Sequence, residues 1–217
     1  MTYKEAITIQ NRLRHKVILI PPSHFSPQLV AGTDISYSRK DNIFYAVVVV
    51  LRLSNLELIE KQVIIGQTDF PYIPGLLSFR EAPFLIKAVK QLKHMPDVIL
   101  VDGQGIAHPR RIGLASHLGI CLDIPTIGCA KSRLTGTYKP VPEEVGSYSL
   151  LQEKDETLGL VLRTKKGVKP IFVSPGHLMD TKTAYKIVMR CLKGYRLPEP
   201  TRLAHIEANR ARSLGMA

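Results

Sequence analysis

Leu29-Val30-Ala31-Gly32-Thr33-Asp34-Ile35-Ser36-Tyr37 is the stretch on which the fold turns. Read as a strand, it puts Asp34 on one face with Gly32 and Ser36, opposite Ala31, Thr33, Ile35 and Tyr37. Strands are depleted in Asp, and a buried carboxylate without a partner is costly. Asp34 therefore calls for a cationic partner, and a metal ion is the simplest one. The apolar run Ala46-Val47-Val48-Val49-Val50-Leu51 follows. Strand-like runs at about 29–37, 43–53 and 56–65 are separated by Ser38 to Asn42 and by Ser54-Asn55. Breaks that short predict an antiparallel meander.

A second carboxylate ends another apolar run, Asp97-Val98-Ile99-Leu100-Val101-Asp102, before Gly103-Gln104-Gly105-Ile106-Ala107-His108-Pro109-Arg110-Arg111. A buried strand that delivers an Asp at its C-terminal end, into a glycine-flanked loop, matches the placement of ligands in open α/β sheets. The glycines allow close backbone approach, and His108, Arg110 and Arg111 add donors and positive charge. Elsewhere the pattern predicts helices at about 3–16, 79–94, Gly113 to Leu118, 180–192 and 199–213. It also predicts a short strand around Thr126 to Gly128. Leu158 to Arg163 and Pro170 to Ser174 read as a late hairpin.

The third informative stretch is Pro71-Tyr72-Ile73-Pro74-Gly75-Leu76-Leu77-Ser78-Phe79-Arg80-Glu81. Two prolines bracket an aromatic and an aliphatic residue, so the strip is stiff and continues neither helix nor ladder. The apolar period of Phe84, Leu85, Ala88 and Leu92 puts Glu81 near the first turn of a helix. A rigid wedge joined to a carboxylate suits an enzyme that opens a stacked polymer beside its chemistry.

These three stretches, with Ile124 to Leu134 and Lys193 to Arg202, closely resemble the endonuclease V family of deoxyinosine-directed repair nucleases. The resemblance runs from about Leu29 to about His205, with the motifs in the family's order. It implies an α/β, ribonuclease H-like fold: one domain over residues 1–217, with a central mixed five-stranded sheet flanked by helices. In that fold the first and fourth strands are neighbours, which would bring Asp34 and Asp102 together. It further implies that Asp34, Glu81 and Asp102 form the acidic catalytic core. His205 corresponds to a position near the metal where members carry Asp or His. Lys131, in Gly128-Cys129-Ala130-Lys131, is expected to contact the scissile phosphate, and His108 to do likewise or to relay a proton. His177 matches a Gly-His pair placed at a helix start, where it contacts substrate or caps the helix. The residue between the two glycines is often His or Asn in the family and is Gln104 here.

Chemistry and composition agree with this reading. Phosphodiester hydrolysis needs charge stabilised on the attacking and leaving oxygens, and Mg2+ in an oxygen-rich site supplies it, with Mn2+ as a substitute. Asp34 and Asp102 would bind the metal, with Glu81 on a second metal or a water and His205 as a further ligand. Tyr72, Ile73 and Pro74 would replace a flipped base in the stack, while backbone at Gly103 and Gly105, with Arg110 nearby, meets the base. Lys plus Arg number 30 against 18 Asp plus Glu, a net +12 with a pI near 9.7, which points to a polyanionic partner. Three cysteines, Cys121, Cys129 and Cys191, have no metal-type spacing and fit buried apolar positions in a reducing compartment. No signal peptide is evident in Met1 to Gln10, and Tyr45 to Leu51 is far too short to span a bilayer.

The sequence thus predicts a cytoplasmic, monomeric nuclease acting on DNA that contains deoxyinosine. The resemblance puts its cut at the second phosphodiester 3′ of the lesion, leaving 3′-hydroxyl and 5′-phosphate ends. Three alternatives stay open: a ribonuclease specific for inosine in RNA, another ribonuclease H-like nuclease such as a junction resolvase, and a non-catalytic nucleic-acid binding module.

Overall fold

The computed structural model describes residues 2–215. Helix α1 (Tyr3–Leu13), capped by a Thr2–Glu5 capping box, runs into a 3-10 turn at Arg14–Lys16. Three strands follow: β1 (Leu29–Ser38), β2 (Ile43–Arg52) and β3 (Glu57–Gly66). They pair antiparallel as expected, with Asp34 opposite Val47. After the proline-rich strip come α2 (Leu77–Lys90), β4 (Val98–Val101), α3 (Leu114–Leu122) and β5 (Thr126–Ala130). β4 lies parallel to β1, Val30 against Val98 through Thr33 against Val101, and β5 lies parallel to β4.

The sheet is larger than the five strands expected. β6 (Tyr148–Glu153), β7 (Glu156–Leu162) and β8 (Ile171–His177) extend it to eight, in the order β3-β2-β1-β4-β5-β8-β7-β6. β8 pairs antiparallel with β5, so the late hairpin covers an edge that β5 would otherwise leave unpaired. β6 escapes a pattern search because it is an edge strand with only Leu151 buried. Helix α2 begins at Leu77, two residues before the expected start, which puts Glu81 in its second turn. Pro83 sits inside this helix on its exposed side, and its missing N–H leaves the Phe79 carbonyl without a helical partner.

Two apolar layers hold the sheet. On one face Ala31, Val48, Ile99 and Val101 pack against Ala82, Leu85, Leu114 and Leu118 of α2 and α3. On the other, Val30, Val49, Leu100 and Ile127 meet α4 (Thr181–Arg190) and α5 (Glu199–Ser213) through Val188, Ala204 and Ala208. The approach of α5 to β1 depends on Gly32. A Cβ built there would lie 2.1 Å from the Pro200 carbonyl carbon and 2.6 Å from the Thr201 nitrogen. This backbone contact brings the inner side of α5, and with it His205, over Asp34.

Gly32→Ala should therefore push α5 away from the sheet. Overpacking of this kind costs roughly 1–3 kcal/mol, which lowers the thermal midpoint by about 3–10 °C at this chain length. Thermal unfolding followed by circular dichroism checks it, and a midpoint within about a degree of the parent would contradict the packing argument.

Candidate active site

The parallel seam between β1 and β4 creates the site. The Asp102 amide donates to the Thr33 carbonyl at 3.2 Å, so the residue after β4 is tied beside the residue before Asp34. Ligand atoms of Asp34, Asp102 and His205 all lie within 4.8 Å of one another. His205 reaches in from α5, its Nδ1 2.7 Å from Asp34 Oδ2. On the other side of the ring, Asn209 Nδ2 is 3.2 Å from Nε2 and also donates to the His205 carbonyl at 3.0 Å. Ser36 Oγ donates to Asn209 Oδ1 at 3.0 Å. An amide N–H facing Nε2 leaves the ring proton on Nδ1, directed at Asp34. Lys131, one residue past β5, bonds Asp102 Oδ2 with its ammonium.

Crowded, half-buried acids do not ionise independently. Burial first, and then the charge of Asp102, push Asp34 up to about 6, against the bonds from His205 and the charge of Lys131. Glu81 is pushed up to about 8 by burial and then by Asp34 and Asp102, with Arg80 opposing. It feels both aspartates, yet it stands outside the Asp34, Asp102 and His205 cluster. Glu81 lies instead along a neighbouring cavity with Tyr37, Phe44, Tyr72, Leu77 and Arg80. The Arg80 guanidinium there is stacked 4.8 Å from the Tyr37 ring and 4.7 Å from Phe44.

The wedge borders the same ground. Tyr72 is 68% exposed, high for a tyrosine, on a strip whose internal tie is the Leu76 N–H to the Ile73 carbonyl at 2.9 Å. Beside it opens a cavity of about 350 Å³. Tyr72, Pro74, Gly75 and Leu77 line it together with Asp102, Gly103, Gln104 and Lys131. Tyr72 and Leu77 also border the Glu81 cavity, so the wedge stands between the two.

Other expected residues are placed differently. The buried Gly105 donates its amide to Ser174 Oγ at 2.8 Å and does not line the cavity. Ile73 is half-buried, and it too lies outside that lining. His108 has both ring nitrogens engaged: Nδ1 accepts from the Arg110 amide at 3.1 Å, and Nε2 donates to the Gly75 carbonyl at 3.0 Å. Burial, then the charge of Arg110, lowers its pKa to about 4, so a neutral, doubly bonded ring replaces the expected phosphate contact or proton relay. Arg110 also bonds the Gly75 carbonyl, at 2.7 Å, while Arg111 is paired with Glu153 and Glu156 at 2.6 and 2.7 Å.

His177 is corrected more fully. It ends β8 instead of starting a helix, and Asp180 is the residue that caps α4. It pairs with Thr126, at the opposite end of β5 from Ala130 and Lys131. Cys129 and Cys191 are buried as expected, but Cys121 is exposed because it falls on the outer side of α3. Sequence reading missed Asn209 and Ser36, which hold His205, and Gln10, which reaches the wedge from α1. Asn209 had a usable signal, four residues after His205 on one helix face. Gln10 is 65 residues from its partner Gly75 and had none.

A family model described as Endonuclease V matches residues 11–206. The chain belongs to the endonuclease V family. It is 50% identical over 208 residues to Endonuclease V of Dehalococcoides mccartyi, covering 96% of this chain and 93% of that protein. The crystal structure of the Streptomyces avermitilis Endonuclease V superposes with a TM-score of 0.92 at 40% identity, covering 100% of this chain and 95% of that one. A Ciona intestinalis Endonuclease V, crystallised in complex with a 24mer DNA containing an inosine followed by a ribo-adenosine, has a TM-score of 0.83 at 31% identity, covering 97% of each chain. The ribonuclease H-like fold and endonuclease activity expected from the motifs are those of this family, and among the described residues no helix is long and apolar enough to cross a membrane.

The donor set fits a divalent cation. Two carboxylates and an imidazole converge at ligand spacing, Asp34 has a raised pKa that a cation would lower, and the ammonium of Lys131 already supplies positive charge to Asp102. Both upward shifts mean that the folded protein holds protons that the unfolded chain releases. The stability this confers is complete below the ordinary carboxylate range and is lost as pH rises, through about 6 for Asp34 and about 8 for Glu81. A divalent cation must displace those protons, so its stabilising effect grows with pH. The rise in thermal midpoint on adding Mg2+ or Mn2+ should be larger at pH 8 than at pH 6. Equal rises at the two pH values would show that the cation binds elsewhere.

Proposed function

We propose that this endonuclease recognises deoxyinosine in DNA and, with Mg2+ or Mn2+, hydrolyses the second phosphodiester 3′ of the lesion, leaving 3′-hydroxyl and 5′-phosphate ends. The observation that carries the proposal is the shared cavity, which the exposed Tyr72 lines together with Asp102 and Lys131. Chemistry on duplex nucleic acid near one base is served by taking that base out of the stack and filling the gap. A wedge beside a concave site does both within reach of the acidic cluster. The net charge of +12 supplies attraction to the backbone. The inosine-containing DNA bound by the Ciona relative supports the choice of lesion.

Each residue has a role in this reading. Asp34 and Asp102 would hold the cation, and His205, kept in place by Asn209, orients Asp34 through its Nδ1 proton and would become a further ligand on giving that proton up. A cation held there stabilises charge on the attacking and leaving oxygens. Lys131 turns its ammonium from Asp102 toward the scissile phosphate. Glu81, protonated near neutral pH by its surroundings, would release that proton to solvent once a cation is held nearby, and its carboxylate then orients the attacking water and accepts a proton from it. Gly103 and its neighbours line the base cavity, where hypoxanthine presents a carbonyl and a ring N–H that adenine lacks. The protein acts as a monomer in the cytoplasm.

A specific observation keeps RNA in view: the DNA bound by the Ciona relative carries a ribo-adenosine immediately after the inosine. Nicking of matched DNA and RNA duplexes with a single inosine, in Mg2+, Mn2+ and excess chelator, tests both readings. The proposal predicts a cation-dependent nick on the inosine strand of DNA. Full activity in chelator, or release of free hypoxanthine, would refute it, and faster cutting of RNA would move the substrate class.

Two variants separate chemistry from recognition. Asp34→Asn and Asp102→Asn keep shape and remove charge from the cation site. Loss of several kcal/mol of transition-state stabilisation lowers turnover by about 10³-fold or more while duplex binding persists. Turnover within about tenfold of the parent in ordinary Mg2+ would remove these residues from the mechanism. Tyr72→Ala leaves the cation site intact and removes stacking of roughly 1–3 kcal/mol. Its loss should appear on duplex inosine substrates and shrink on single-stranded ones. Equal losses on both would make Tyr72 a structural residue of the site.

A further inference from the structure

The Gly75 carbonyl, at the C-terminal end of the wedge, accepts from three side chains at once. Gln10 Nε2 donates at 2.9 Å, His108 Nε2 at 3.0 Å and Arg110 Nη2 at 2.7 Å. A carbonyl oxygen has two lone pairs, so three donors are more than satisfying it requires. The donors come from α1 and from the loop after Asp102, which are remote from each other in sequence. They are also tied to one another. Arg110 Nε bonds Gln10 Oε1, and the Arg110 amide donates to His108 Nδ1, which leaves the His108 proton on Nε2, facing Gly75.

Two further features mark the arrangement as built. Gln10 is fully buried on a helix whose only other buried residue is Ala6. A buried amide is costly unless bonded, and both polar atoms of Gln10 are engaged in this cluster. Gly75 has φ +78°, a left-handed backbone conformation that favours glycine. At the other end of the strip, the Phe70 carbonyl accepts from Arg80 Nη1 at 3.3 Å. The wedge is therefore anchored on both sides of Tyr72.

We propose that Gln10, His108 and Arg110 form a clamp on the Gly75 carbonyl that fixes the Tyr72 wedge against the duplex, which makes α1 and the post-Asp102 loop positioning elements of lesion recognition. The inference rests on reading Pro71 to Pro74 as a strand-opening wedge. A tip that is pushed into stacked bases is pushed back, and Pro71-Tyr72-Ile73-Pro74 has little internal bonding to resist. With the clamp closed, the backbone cannot recoil, and the force falls on the duplex. The three side chains then serve recognition through the position of Tyr72, and their loss weakens the opening step and spares the chemical one.

Gln10→Met keeps length and apolar volume and removes both bonds. Single-turnover nicking of inosine duplex should show half-saturation raised by about tenfold, with the maximal rate within about twofold, as expected for loss of one or two buried hydrogen bonds from a binding step. On a single-stranded inosine oligonucleotide half-saturation should stay near that of the parent. Arg110→Lys, which leaves the Gln10 Nε2 donor to Gly75 in place and removes the forked donor, should give the same split. Hydrogen exchange should also quicken at the Leu76 amide, which bonds the Ile73 carbonyl, in both variants with no substrate present. Parent-like duplex half-saturation, or equal losses on duplex and single strand, overturns the clamp as a recognition device. Absence of any inosine preference in the parent protein would instead defeat the functional reading. In that case the exchange measurement still decides the clamp, and unchanged exchange in both variants overturns it.

Discussion

The structure depends on one unfavourable juxtaposition, two carboxylates held side by side at the seam of β1 and β4. Like charges at this spacing repel, and burial withholds the water that would screen them. The sheet nevertheless fixes them there, because the Thr33 carbonyl bonds the Asp102 amide and Asp34 lies in a strand flanked on both sides. Everything cationic in the neighbourhood follows from that. Lys131 is delivered by the next parallel strand, and His205 by a helix that Gly32 allows against the sheet. Arg80 sits beside Glu81, the third acid drawn into the same field. A fold that spends stability on such a cluster has kept it for its chemistry.

The motif-bearing part of this arrangement was legible because it is local. An Asp in mid-strand, an Asp at a strand exit and a proline-bracketed tyrosine each violate an ordinary preference within a few residues, and such violations mark function. The neighbouring placement of β1 and β4 followed from the resemblance to the ribonuclease H-like fold. What stayed hidden is what distance in the chain conceals. β6 buries only Leu151 and carries too little pattern to be seen, while β7 and β8 were read as a hairpin and not joined to the five-stranded sheet that the resemblance implied, so the sheet of eight was not foreseen. His177 sat in a matching motif, yet its pairing with Thr126 places it at the other end of the sheet from Lys131. Arg111 read as a source of donors and positive charge beside the site until the ends of β6 and β7 supplied Glu153 and Glu156.

The exposed Tyr72 strip and Asp102 of the acidic cluster border one cavity in this protein. The loop that follows Asp102 lines the base-sized cavity with Gly103 and Gln104, then turns back through His108 and Arg110 to hold the wedge. On the other side Arg196 bonds the Lys131 carbonyl at 2.7 Å and the Pro170 carbonyl at 3.0 Å, which fixes the backbone that carries the Lys131 ammonium. Lys131, Arg133, Lys169 and Arg196 border one cavity and concentrate positive charge there. A small displacement of the Asp102 loop would therefore disturb base capture, wedge height and cation binding together.

The most direct test of the account is to locate the cation. Anomalous diffraction from crystals grown with Mn2+ reports its position independently of activity. The account predicts a peak between the Asp34 and Asp102 carboxylates, with His205 beside it and the Lys131 ammonium moved off Asp102. A peak elsewhere, or none there with Lys131 still bonded to Asp102 at saturating Mn2+ and pH 8, would contradict the claim that the paired carboxylates exist to hold a metal.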